Sequence, residues 1–138
     1  MRRIFVDTGA FVALEDADDE HHQAALRFQA SLLPRVTHFV TTNFVLDETY
    51  TWLRMNIGHA KAVEFGERVR DSKLLQVQHI SEEIERLAWD IFCRYDDKDF
   101  SYTDCTSFAV MQLLGLDMAF AFDQHFRQFG FVCLPEAT

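Results

Sequence analysis

The feature that most constrains this chain is a strand-like run that stops on an acid. Ile4-Phe5-Val6 joins β-branched and aromatic residues, with Arg2-Arg3 before it and Asp7-Thr8-Gly9 after it. A short apolar run bounded by turn chemistry reads as a buried strand of a parallel sheet. In open α/β sheets, ligands and chemistry gather outside the carboxyl ends of the strands. Asp7 is therefore expected at the mouth of a crevice, and the question becomes what else the chain sends there.

Helix and strand signals alternate along the rest of the sequence. Ala10 and Leu14 bound a short apolar stretch that runs into the acidic turn 15–20, whose carboxylates suit the start of a helix. That helix is expected over 21–33, with Ala24, Ala25, Phe28 and Leu32 on one face and Pro34 as its stop. A strand is expected over 38–41 and a helix over 44–55, capped by Thr42 or Asn43, with Val45, Thr49, Trp52 and Leu53 at helical spacing. Gly58 breaks it, and another helix spans 59–71. A strand over 74–77 follows, then a helix capped by Ser81 that reaches Ile91 and Phe92. After a polar loop over 95–101, a helix over 102–114 turns Cys105, Phe108, Ala109 and Leu113 inward and ends at Gly115. A strand over 118–122, a short helix or turn over 123–129 and a strand over 131–134 complete the pattern. The expected architecture is a three-layer α/β/α sandwich around a mainly parallel, twisted five-stranded sheet.

The 138 residues are the usual size of one domain, so residues 1–138 are expected to share one core, and 49% hydrophobic content supplies it. No apolar run approaches the roughly 20 residues of a membrane span, and Asp7 interrupts the first run too early for a signal peptide. A cytoplasmic protein is expected. Cys93, Cys105 and Cys133 lack any CxxC spacing and read as small core residues. The net charge of -9 has the wrong sign for a general nucleic-acid coat. It leaves two readings, avoidance of nucleic acid, or acids gathered in a metal pocket with the few bases clustered. There is no GxGxxG and no GKS or GKT, which removes the common nucleotide-binding folds.

Four acids are placed where burial and charge conflict. Asp7 ends the first strand, and Asp123 ends the fourth after Ala119-Phe120-Ala121-Phe122. Carboxylates at the ends of buried strands repel unless a cation lies between them. Glu48 borders the apolar face of its helix, whereas Asp47 is rotated about 100° toward solvent. Asp104 sits in the first turn of the 102–114 helix. One reading is a carboxylate cluster holding one or two Mg²⁺ or Mn²⁺ ions, which can acidify a bound water and clamp a phosphoryl oxygen. The plainer reading makes Asp7 and Asp123 turn residues, Asp104 a cap and Glu48 a solvated helix acid. Spacing alone leaves both open.

The segments around these acids resemble the PIN domain family, and among its members the VapC-like toxins of bacterial toxin–antitoxin pairs. They are the 4–11 segment ending strand one on Asp7, the 42–49 segment with Glu48, the 101–111 segment with Asp104 and the 121–126 segment with Asp123. The resemblance covers nearly the whole chain. It implies a metal-dependent endoribonuclease, a homodimer, and a cognate antitoxin that occupies the active-site groove. By that likeness Asp7 and Asp104 bind Mg²⁺ or Mn²⁺ directly and Asp123 completes the set, partly through water. Glu48 binds metal or a metal-held water, and the hydroxyls of Thr8 and Ser107 support the ligands. Family members often carry a hydroxyl residue two positions before the last acid; Ala121 stands there instead.

Several weaker signals flank this set. Asp99 is near enough in sequence to Asp104 to stand behind it. His125 can touch substrate or a metal-held water, and His21 with His22 reads as a solvated pair beside acids. Arg54, Lys61, Arg68, Arg70 and Arg127 are the candidates for phosphate contacts with RNA. Two other functions compete. An aspartate-nucleophile phosphatase would want a second acid two residues after Asp7, where Gly9 stands. A non-catalytic RNA- or protein-binding domain would have to retain four idle, mutually repelling acids.

Overall fold

The computed structural model describes residues 2–32 and 37–136. Its elements follow the expected alternation: β1 (Arg2–Val6), α1 (Thr8–Glu15), α2 (His22–Leu32), β2 (Thr37–Thr42), α3 (Asn43–Asn56), α4 (His59–Asp71), β3 (Leu75–Gln78), α5 (Glu82–Arg94), α6 (Tyr102–Leu114), β4 (Met118–Phe120), α7 (His125–Phe129) and β5 (Val132–Leu134). The expected stop at Pro34, with Leu33 before it, lies outside the described residues.

The strands form one sheet in the order β3-β2-β1-β4-β5, and every pairing is parallel. The sheet is thus wholly parallel, beyond the mainly parallel expectation, because each strand is followed by a helical return that brings the chain back to the same edge. The chain first walks from β1 through β2 to β3, then returns to lay β4 on the other side of β1. Right-handed crossovers put the helices of the two walks on opposite faces. The contacts agree: α1 packs on α2 and α3, α3 on α4, and on the other side α5 packs on α6 and α6 on α7. The gap between β1 and β4 is where the direction of the walk reverses. Crevices in such sheets open at that switch point.

The core sits on both faces of β1, where Ile4, Phe5 and Val6 are buried. Phe5 lies 5.9 Å from Phe126, which meets Phe108 edge-on at 5.0 Å. Each such ring contributes about 1.5–3 kcal/mol by leaving water. Helix α6 is buried from Asp104 to Met111 on every side, so the acid it carries enters the interior with it.

Three local expectations are corrected. Leu113 is 51% exposed, and Leu114 packs toward the core in its place. A row spaced by four residues drifts about 40° per step on a helix, so the row from Cys105 has left the buried face by its third member. Cys93 is exposed, because Ile84, Ala88 and Ile91 define the buried stripe of α5 and Cys93 falls about 200° from Ile91. Strand β4 ends at Phe120 instead of continuing to Phe122. Ala121 still closes a sheet-like bond, its N–H donating to the Leu134 carbonyl at 3.2 Å.

One ion pair locks α1 to α4. The Glu15 carboxylate, at the end of α1, is only 8% exposed and meets the Arg68 guanidinium and, at 3.4 Å, the Lys61 ammonium. Both cations keep access to water, so the pair is worth less than a fully buried one. Glu15→Ala is expected to destabilise the protein by about 1–2 kcal/mol, read as a lower urea midpoint with unchanged slope. An unchanged midpoint would mean that the pair adds nothing to stability.

Candidate active site

Each acid of the expected set is positioned by backbone that the fold cannot easily move. The Asp7 N–H donates to the Phe120 carbonyl at 3.1 Å, which ties the end of β1 to the end of β4. Its own carbonyl accepts from Ala10 and Phe11, making Asp7 the N-cap of α1, yet its side chain makes no capping bond. The carboxylate is buried, and the N–H that acts on it is that of Thr8, the first residue of α1.

Asp104 is fixed by a capping box. Ser101 Oγ accepts from the Asp104 N–H at 2.9 Å, and Asp104 Oδ2 accepts from the Ser101 N–H at 3.1 Å. The same Oδ2 lies 2.9 Å from His125 Nδ1. Asp123 accepts from the His125 N–H through Oδ1 at 2.9 Å, which opens α7. One ligand-type atom from each of Asp104, Asp123 and His125 lies within 4.8 Å of the other two. Glu48 comes in from α3, its Oε1 accepting from Thr8 Oγ1 at 2.8 Å. Thr8 thereby links the residue next to Asp7 with Glu48.

The electrostatics show how close these groups are. Burial, above all, holds the Asp7 carboxyl well above the usual carboxylate range. The negative charges of Asp123 and Asp104 push it further, the Thr8 N–H pulls it back, and Glu48 adds to the rise. The Asp104 carboxyl is raised too, by burial first; the Ser101 N–H opposes this, Asp123 reinforces it, His125 lowers it and Glu48 raises it. Distant segments have thus brought four carboxylates within one another's field at the switch point. Hard divalent cations take such oxygen donors. Ser107 Oγ, one turn after Asp104 on the same helix, is buried with no hydrogen-bond partner among the described residues. An orphaned buried hydroxyl calls for a partner, and a bound water or ion beside the acids would supply one. The donor set fits Mg²⁺ or Mn²⁺.

Of the other expected residues, some join this site and some do not. Thr8 joins it through Glu48. Asp99 is exposed in the loop before α6 and makes no hydrogen bond to the cluster among the described residues. Lys61 and Arg68 are engaged by Glu15, and both also approach Glu64, at 3.9 and 3.7 Å. Arg54 and Arg127 are exposed on α3 and α7. His21 is drawn to the rim by stacking on Phe122 at 4.4 Å, and His22 Nδ1 sits 2.7 Å from the Ala13 carbonyl. Ser101 escaped the sequence reading as a site residue, although the S-x-x-D spacing of a capping box was there to be read.

A raised carboxyl pKa carries a definite sign. The folded protein gains stability from a protonated Asp7 below the unfolded value near 4 and loses it as pH rises through the higher folded value. In chelator, Asp7→Asn is therefore expected to melt at a higher temperature than wild type, with a gap that widens from pH 4 to pH 8. Added Mn²⁺ should raise the melting temperature of wild type and not of the variant. A wild type that melts above the variant at pH 8 in chelator would contradict the repulsion.

Residues 4–132 match the PIN domain family. The 23S rRNA-specific endonuclease VapC20 of Mycobacterium tuberculosis is 42% identical over 129 residues, which is 94% of this chain and 95% of that protein. The crystal structure of Mycobacterium tuberculosis VapC20, described as a sarcin–ricin loop cleaving toxin, has a TM-score of 0.86 at 40% identity and covers 94% of this chain and 96% of its own. FitAcB from Neisseria gonorrhoeae has a TM-score of 0.69 at 14% identity over 94% of this chain and 95% of that one, a likeness of fold alone. With a family match across nearly its whole length and a relative this similar, the chain belongs to the PIN domain family.

Proposed function

We propose that this protein is a Mg²⁺- or Mn²⁺-dependent endoribonuclease that hydrolyses a phosphodiester bond of ribosomal RNA, and that it is the toxin of a toxin–antitoxin pair acting in the cytoplasm. The observation that carries the reading is the convergence of Asp7, Glu48, Asp104 and Asp123 at the switch point of the sheet. The identity to VapC20 supports rRNA, and within it a loop of the sarcin–ricin kind, as the substrate class.

Asp7 and Asp104 are the residues that hold the ion, and Asp123 completes the set from the other side of the crevice. The cation supplies a water of lowered pKa and charge stabilisation on the phosphoryl oxygens. Glu48 is the group that orients the attacking water and holds its proton. Thr8 occupies Oε1, which leaves Oε2 for that task. His125 keeps the Asp104 carboxylate turned into the crevice through Nδ1. A homodimer is supported by an unpartnered apolar face on α5, where Trp89 and Phe92 are 56% and 43% exposed.

Wild-type protein is expected to cut 23S rRNA in intact ribosomes at one position when Mg²⁺ or Mn²⁺ is present, and to stop in excess chelator. Asp7→Asn and Asp104→Asn should each lower the rate by more than the ~10–100-fold typical of residues behind metal ligands, with circular dichroism unchanged. Full cleavage by either variant, or in chelator, would exclude the mechanism. Sedimentation should show a dimer that Trp89→Ala weakens.

A further inference from the structure

A groove of about 440 Å³ lies between α3 and α4, and none of the four acids lines it; its walls are Tyr50, Thr51 and Arg54 on one side and His59, Gly66 and Arg70 on the other. The chain carries 22 acids against 13 bases, so a polyanion meets net repulsion almost everywhere. Several bases are already used internally: Lys61 and Arg68 by Glu15, and Lys98 by Asp97 at 3.0 Å. Arg54 has no ion pair among the described residues, and it faces Arg70 across the groove. Glu67 is the one acid lining it.

Arg70 is held in a set position. Its Nη1 donates to the Gly66 carbonyl at 3.0 Å and to Tyr50 Oη at 3.3 Å, and its guanidinium carbon lies 6.0 Å from the Tyr50 ring centre. This arrangement depends on Gly66 lacking a side chain. A Cβ there would come within 3.1 Å of Arg70 Nη1 and 3.3 Å of the Tyr50 ring. One edge of a planar guanidinium is thus fixed by the protein, and the remaining donors are left for a ligand. Thr51 and Arg54 follow Glu48 by three and six residues, about 4.5 and 9 Å further along the same helix and turned about 60° and 120° from it. The groove therefore starts within one helical turn of the residue assigned to the attacking water, around the side of α3.

We propose that this groove binds the sugar–phosphate backbone of the RNA next to the cut bond, with Arg54 and Arg70 contacting successive phosphates. The proposal rests on the ribonuclease reading above and names where that substrate is held. It explains how a chain of this charge grips RNA without a basic coat: two arginines, one preorganised on Tyr50, act in a groove that a single acid, Glu67, lines.

The test uses an RNA hairpin carrying the sarcin–ricin sequence, in two assays. Binding is read by fluorescence anisotropy in excess chelator, where no bond is cut. Cleavage is read separately with Mn²⁺. Arg54→Ala and Arg70→Ala are each expected to weaken binding and raise KM about tenfold with kcat little changed, as loss of uniform binding requires. Each should also make the plot of log affinity against log salt shallower by about 0.7, the share of one phosphate on a single strand. Lys61→Ala, already paired to Glu15, should move neither quantity. Because Arg54 is exposed and holds no ion pair among the described residues, its variant tests the idea even if Arg70→Ala unfolds. Unchanged affinity, KM and salt slope in Arg54→Ala would overturn the proposal while leaving the nuclease intact, and would give the groove to an acidic protein segment instead. Salt-dependent binding lost in Arg54→Ala, from a wild type that cuts nothing, would sink the nuclease reading and leave the groove standing.

Discussion

Everything at the crevice follows from one conflict, the mutual repulsion of carboxylates that the sheet forces together. Strands β1 and β4 are hydrogen-bonded neighbours; β1 runs straight into Asp7, and Asp123 follows the end of β4 by three residues. Two carboxylates about 5 Å apart repel by about 3 kcal/mol at an effective dielectric near 20. A domain of this size is stable by only about 5–15 kcal/mol in all. A fold that gathers several such pairs without neutralising them spends a large share of that margin. Burial does most to raise the Asp7 carboxyl, and the charges of Asp123 and Asp104 add to the rise. A divalent cation would turn the repulsion into attraction, which supports the proposed reading of the site as a metal centre.

Strain of this kind persists only where the surroundings leave no escape. A surface acid would simply swing into water. Asp7 cannot, because its N–H is bonded to Phe120 and its carbonyl receives the first turn of α1. Asp104 is fixed twice, by Ser101 and by His125, on a helix buried from 104 to 111. Asp123, 42% exposed, is held at Oδ1 by the His125 N–H, as exposed Glu48 is held at Oε1 by Thr8. The difference in anchoring parallels the difference in proposed roles: the buried acids Asp7 and Asp104 hold an ion, and half-free Glu48 handles a proton.

The sequence showed most of the scaffold because its signals are local. Ile4-Phe5-Val6 before Asp7, Ser81 before an acidic turn and Gly115 after an apolar helix each state their conformation within a few residues. The structure puts a strand, a capped helix and a left-handed helix end at those places. Register drift is subtler, and Leu113 and Cys93 were misread because a helical stripe rotates off a four-residue spacing. The acids could be named but not joined. That Asp123 approaches Asp7 depends on β4 returning beside β1, a contact across more than a hundred residues that no window of sequence contains. The fate of the bases was equally hidden. Nothing near Arg68 announces that Glu15, 53 residues away, will claim it.

The last consequence concerns how charge is sorted in the finished molecule. A metal site for phosphodiester chemistry needs excess acid, and its substrate is an anion. One surface cannot serve both needs at the same point. Here Asp7, Asp104 and Asp123 gather at the strand ends, while α3 and α4 carry Arg54, Lys61, Arg68 and Arg70, four of the 13 bases. Glu15 takes two of them to hold α4 against α1. That brace does not touch RNA, but it sets where the groove wall stands relative to Glu48. The ion pair, the groove and the acid cluster are therefore one mechanical unit: α3 carries Glu48 into the crevice at one end and Arg54 into the groove at the other, and α4 is held beside it by α1, the helix that Asp7 begins.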